Sequence, residues 1–100
     1  MNKERLTELI EKNKNIDLED DFAHNSIWNE MLEILSQDLN DTITFLENIT
    51  AEELEYIRSI FDDLSEHFKS QELIECMERN ALRTGVDCSV DIEYAKKALE

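Results

Sequence analysis

The sequence predicts an all-α protein: a single-domain bundle, or short stack of antiparallel helical hairpins, of five to six helices spanning residues 1–100. Two observations carry this. The 100 residues contain no Pro and one Gly, so the chain lacks the punctuation that separates strands. Apolar residues recur at three-four spacing in segment after segment, the period of a helix with one buried face.

Each element follows from its own signals. Leu6, Leu9 and Ile10 mark a first helix, and Trp28, Met31, Leu32 and Leu35 a second, with Phe22 and Ile27 expected to pack between them and Trp28 in the core. After the polar "SQDLND", Leu39, Ile43, Leu46 and Ile49 stripe a third. Thr50 with Glu53 reads as a capping box, which starts a helix at Ala51. Its stripe is Leu54, Ile57, Phe61, Leu64 and Phe68, with Ile60 at the edge. Ser70 caps a further helix that carries Leu73, Ile74, Met77 and Ala81, with Arg79 and Arg83 in its last turns and Gly85 just past its end. Ser89 is expected to cap the last helix, "VDIEYAKKAL".

Charge narrows the function. The formal net charge is -15, and residues 15–57 hold twelve acids and no base. Such a field repels nucleic acid and anionic membrane, whose phosphates need Lys and Arg, and attracts basic surfaces. No apolar run has the length of a signal peptide or a membrane span, so the expected location is the cytoplasm. Cys76 and Cys88 are expected as reduced thiols, Cys76 in the core.

The chain shows no constellation that carries catalysis, a metal or a cofactor. Asp21-x-x-His24 lacks the matching second motif of a carboxylate-bridged di-iron bundle. The run from Asp38 has the alternating acids and Asn of a calcium loop, but Ile43 stands where the turn needs Gly and Ile49 where the bidentate Glu belongs. Gly85 alone makes no phosphate loop, and Cys76 stands nine residues from His67, on a different expected helix. The expectation is a protein that binds and is not an enzyme.

At "ITAEELEYIRSIFDDLSEHFKSQELIECMER" and "DIEYAKKAL" the chain resembles the small acidic helical immunity proteins encoded beside bacterial contact-dependent inhibition and other polymorphic toxins. The resemblance covers about the second half of the chain. Within that group it is similar to immunity proteins for nuclease toxins, including the EndoU type. It implies a cytoplasmic antitoxin that binds the C-terminal toxin domain one to one and occupies or covers its active site. No binding residue transfers by motif. A basic nuclease displays Lys and Arg for its substrate, and a carboxylate surface can compete for them. Two other classes stay open: an acidic adaptor or oligomer subunit without a toxin partner, and a DNA mimic aimed at a nucleic-acid-binding protein.

Two surfaces are expected to meet the partner. One is a negative surface of Asp17, Glu19, Asp20, Asp21, Glu30, Glu33, Asp38 and Asp41, with no local cation to neutralise it. The other is Tyr56, Asp63 and His67, spaced seven and four apart on the solvent side of the capped helix, with Tyr56 as anchor.

Overall fold

The computed structural model describes all residues, 1–100, and is entirely helical apart from short connections. The helices are α1 (Lys3–Asn15), α2 (Asp21–Leu35), α3 (Leu39–Glu47), α4 (Ala51–Ile57), α5 (Phe61–Phe68), α6 (Gln71–Thr84) and α7 (Ser89–Ala98), with a 3₁₀ turn, Arg58–Ile60, between α4 and α5. Taken as one interrupted helix, Ala51–Phe68 brings the bundle to six. The radius of gyration, 12.7 Å, is close to the roughly 13 Å of a compact domain this long.

Local chemistry explains most boundaries. The capping box is present, with the Glu53 amide donating to Thr50 Oγ1 (3.1 Å) and the Thr50 amide to Glu53 Oε1 (3.0 Å). Ser70 caps α6 through the Leu73 amide, and Gly85 ends it at φ 77°, a left-handed conformation open to a residue without Cβ. The start of α7 differs from the expectation. Cys88 occupies the cap position, and Asp87 Oδ1 accepts from the Ser89 amide and hydroxyl (3.0 and 2.7 Å). The ionised Asp87 carboxylate is the stronger acceptor, and with the Ser89 hydroxyl donating to it that hydroxyl does not act as the cap.

The break between α4 and α5 also revises the expected stripe. A 3₁₀ turn carries three residues through about 360°, against about 300° in an α-helix, so the buried face is rotated by about 60° across it. Ile60 is consequently fully buried, along with Leu54, Ile57, Phe61 and Leu64, while Phe68 packs only partly against the core.

The core is continuous through all seven helices. The pair α5–α7 packs most extensively, and its close approach rests on two small residues, Ser65 and Ala95, neither exposed, with the Ser65 hydroxyl donating to Ala95 O at 2.5 Å. The α3–α6 pair is held by a polar seam. Arg79 pairs with Glu47, and the buried Asn80 donates to Glu47 Oε2 (3.1 Å) and Cys76 O (2.9 Å) while accepting from Arg83 Nε (2.8 Å). Arg83 Nη2 then reaches the carbonyls of Leu46 and Ile49 (3.2 and 2.8 Å), at the end of α3. Thr42, also buried, donates to Leu35 O at 2.5 Å, at the end of α2. No buried side-chain nitrogen or oxygen lacks a partner. Cys76 and Cys88 are free and buried, and burial pushes both thiols up to about 11. No helix is long and apolar enough to cross a membrane.

Candidate partner-binding surface

The connection from α1 to α2, residues 16–20, turns on its own carboxylates. Asp17 Oδ1 accepts from the Glu19 amide (2.9 Å), Asp20 Oδ1 accepts from the Ala23 amide (3.0 Å) and caps α2, and the Asp20 amide donates to Asp17 O (3.0 Å). Asp21 in the first turn suits the positive end of the α2 dipole. The His24 ring lies against Asp17 O (3.1 Å) on one nitrogen and Asn13 Oδ1 (2.8 Å) on the other, which ties the turn back to α1. Ile16 packs against the core and anchors the entry to the turn.

Polar side chains thus serve the inside of this turn, and two large apolar ones face water. Leu18 is 87% exposed and Phe22 86%. For Phe22 this reverses the expectation that it packs between the first two helices. Asp20 starts α2 one residue before Asp21, which sets Phe22 in phase with Ser26, Asn29 and Glu33, the exposed stripe of the helix, and leaves Ile27, Met31, Ile34 and Leu35 inward. Trp28 is half-buried, packed against the core rather than enclosed in it. With Asn13, His24 and Tyr56 it lines a cleft of about 360 Å³ beside the turn.

The eight acids expected to make up the negative surface are not all gathered together or all free of cations. Glu30 makes a bidentate pair with Arg5 of α1 (2.5 and 3.0 Å), whose guanidinium holds its carboxyl below the ordinary value. Asp41 meets the N-terminal ammonium of Met1 at 3.1 Å. Both neutralising groups lie far off in sequence: the packing of α1 on α2 delivers Arg5 to Glu30, and the N-terminus just ahead of α1 reaches Asp41 on α3. Asp38 caps α3 through the Asp41 amide (2.9 Å) and has no cation. It is remote from the turn, because the 15 residues of α2 separate the two by about 21 Å of rise. Glu33 is exposed and unpaired near the far end of α2. What remains together is Asp17, Glu19, Asp20 and Asp21, none in an ion pair, all exposed and all within the turn and its exit. The nearest base in sequence, Lys14, is engaged by Glu11 and Glu52.

The residues of the second expected surface differ in exposure. Tyr56 is half-buried against the core, with Lys14 Nζ 6.0 Å from its ring centre. Asp63 is half-buried, and burial, followed by the neighbouring charges of Asp62 and Glu66, raises its carboxyl above the usual value. Only His67 is exposed, edge-on to Phe68 with ring centres 4.8 Å apart. The 3₁₀ turn lies between Tyr56 and Asp63, and its added rotation of about 60° shifts Asp63 and His67 around the axis relative to Tyr56.

A second exposed apolar region borders α6 and α7. Leu82 borders a groove of about 550 Å³ floored by Val86 and Ile92, and Val90 and Tyr94 of α7 are exposed outside its lining. Two of its three acids are paired, Glu78 with Lys96 (3.2 Å) and Glu93 with Lys97 (3.7 Å), while Asp87 accepts from Ser89 and forms no ion pair. No three His, Cys, Asp or Glu side chains converge as metal ligands would. Compared with protein-family models, with curated proteins and with solved structures, the chain matches none.

Proposed function

We propose that the protein is an immunity-type inhibitor, a cytoplasmic antitoxin that binds a basic toxin domain, of the nuclease kind, one to one and shields its active site. The observation that carries this reading is the α1–α2 turn, where Asp17, Glu19, Asp20 and Asp21 stand exposed with no cation, although elsewhere in the chain Arg5, Lys14, Arg58, Arg79, Lys96 and Lys97 are each spent on acids. An uncompensated field of this kind steers and holds a surface rich in Lys and Arg. The resemblance of the second half of the chain to immunity proteins supports the same class. Function here is recognition, with complementarity of charge supplying specificity and association rate.

The test is protection. The protein is co-expressed with the toxin domain encoded beside it, and growth is followed for the parent and for E19K/D21K. These two carboxylates are chosen because neither accepts a hydrogen bond within the fold, whereas Asp17 and Asp20 hold the turn. Protection by the parent and its loss in E19K/D21K, with unchanged helical content, is the expected result. Equal protection by both, or the absence of any toxin reading frame beside the gene, would sink the proposal.

A second reading, an adaptor or oligomer subunit, is favoured by the α6–α7 groove, since a partly apolar region in which Glu78 and Glu93 are each paired with a lysine is a part of so acidic a molecule that another copy could approach. Sedimentation of the isolated protein separates the two, as an immunity-type inhibitor is expected to run as a monomer.

A further inference from the structure

We infer that Leu18 and Phe22 are the apolar anchors of this surface, and that the occupant is a basic protein whose apolar cleft is framed by Lys and Arg side chains. The inference rests on the inhibitor reading above and names which contacts give that complex its lifetime.

The first argument is exposure against composition. Of the four Phe residues, Phe45 and Phe61 are in the core and Phe68 packs against it, whereas Phe22 is 86% exposed. Leu18 flanks the same turn at 87%. Isolated exposed apolar residues are ordinary, but two large ones four residues apart, on one five-residue connection and its exit, concentrate apolar surface at this turn, hereafter the knob.

The second argument is rigidity. The turn is closed by the Asp17 and Asp20 carboxylates on backbone amides, by the amide of Asp21 on Glu19 O (3.0 Å), and by His24 against Asp17 O. Leu18 and Phe22 are therefore presented on backbone already ordered, so little conformational entropy remains to be lost on docking. A rigid aromatic at the centre of a contact, ringed by groups that exclude water, is the usual form of a binding hot spot.

The third argument selects the occupant. Asp17, Glu19, Asp20 and Asp21 encircle the knob in sequence with no base among them. A second copy docking through this turn would set these carboxylates against their own kind. Nucleic acid and anionic lipid would meet the same repulsion. A protein cleft that is apolar within and cationic at its rim satisfies both parts at once. It also describes the mouth of a site built to hold a polyanion.

The experiment measures binding kinetics of the toxin domain encoded beside the gene to the parent, L18S/F22S, F22L, E19K/D21K and, as a control, L82S/V90S. The expected result is that L18S/F22S weakens binding by about tenfold to a hundredfold, mainly through faster dissociation and with the salt dependence of the parent. F22L should recover part of the loss, E19K/D21K should instead slow association and flatten the salt dependence, and L82S/V90S should bind as the parent does. Both Ser substitutions are at exposed positions, and the helical content and melting of L18S/F22S are measured to verify an intact fold. Parent-like binding by a folded L18S/F22S would overturn the anchors while leaving the inhibitor reading in place. No binding by the parent would remove the reading and the anchors together. A parent dimer that L18S/F22S dissolves would assign the knob to a second copy and overturn the inference.

Discussion

Phe61 is 1% exposed and sits one residue past the 3₁₀ turn, where Ile57 and Ile60 are also fully buried. Removing its ring takes away contacts on every side at the point where the chain is least regular. Phe61→Ala should cost about 3 to 5 kcal/mol, a large share of a small domain's stability. An unchanged urea midpoint would show that the ring is not the keystone described. The two thiols make a second residue-scale case. Burial, with Glu47 and Asp91 as the next causes, pushes Cys76 and Cys88 up to about 11. At pH 8 the thiolate fraction of such a group is about a thousandth, against roughly a quarter for an ordinary thiol. Iodoacetamide at pH 8 should leave both unmodified in the native protein and alkylate both in urea; prompt modification of the native protein would contradict their burial.

At the scale of the element, the α3–α6 seam is the clearest device. Arg83 closes the open end of α3 by donating to Leu46 O and Ile49 O. Arg83→Ala should lower stability by about 1 to 2 kcal/mol, and Arg83→Lys should recover only part, because one ammonium cannot serve Asn80 and both carbonyls with the guanidinium's fixed geometry. A lysine variant as stable as the parent would refute that. Glu47 adds a pH signature. Arg79, followed by Asn80 among the favourable contacts, holds its carboxyl below the ordinary value against some desolvation. The stabilisation is complete above the unfolded carboxylate value, about 4.3, and is lost as pH falls through the lower folded value. With side-chain exposures of 35% for Glu47 and 54% for Arg79, it amounts to under about 1 kcal/mol. Glu47→Gln should therefore be slightly less stable at pH 7 and show a shallower acid limb between about pH 5 and 3. A limb identical to the parent's would show that Glu47 does not titrate with folding.

Helix existence and the signals within a few residues of each boundary were legible in the sequence: Thr50 with Glu53, Ser70, and Gly85 all act as their types imply. What sequence patterns do not carry is contact across the fold. The Arg5–Glu30 pair spans 25 residues and Arg79–Glu47 spans 32, so a count of nearby bases could not show that Glu30 is spent. The interruption at Arg58–Ile60 contains neither Pro nor Gly and leaves no mark in composition. Phe22 is legible as a large apolar residue and is expected inside, whereas nothing in the pattern singles out Leu18. A large apolar residue next to a helix cap reads as core unless the phase of the helix is known, and Asp20 as cap is what sets that phase.

At the scale of the molecule, a net charge of -15 on a body 34 by 26 by 24 Å opposes its own compaction. Most cations are already paired, so adding salt has few favourable contacts to weaken and much repulsion to screen. The Debye length falls from about 30 Å at 0.01 M to about 8 Å at 0.15 M, from the size of the protein to that of one helix. The parent should therefore gain stability as NaCl rises over that range. E19K/E33K brings the net charge to -11, each reversal adding two to -15. Neither carboxylate is bonded within the fold, and Glu33 lies in the last turns of α2, where no base faces the negative end of the dipole. The variant should be more stable than the parent by about 0.5 to 1 kcal/mol at low salt, with the difference shrinking toward zero by about 0.5 M NaCl as screening removes the repulsion. Melting followed by circular dichroism across that series decides the matter. A variant that melts at or below the parent in 0.01 M NaCl would mean that the acids are not under mutual strain. If it is more stable while losing affinity for a basic partner, the acids of the α1–α2 turn are maintained at a cost to folding, as a surface kept for recognition should be.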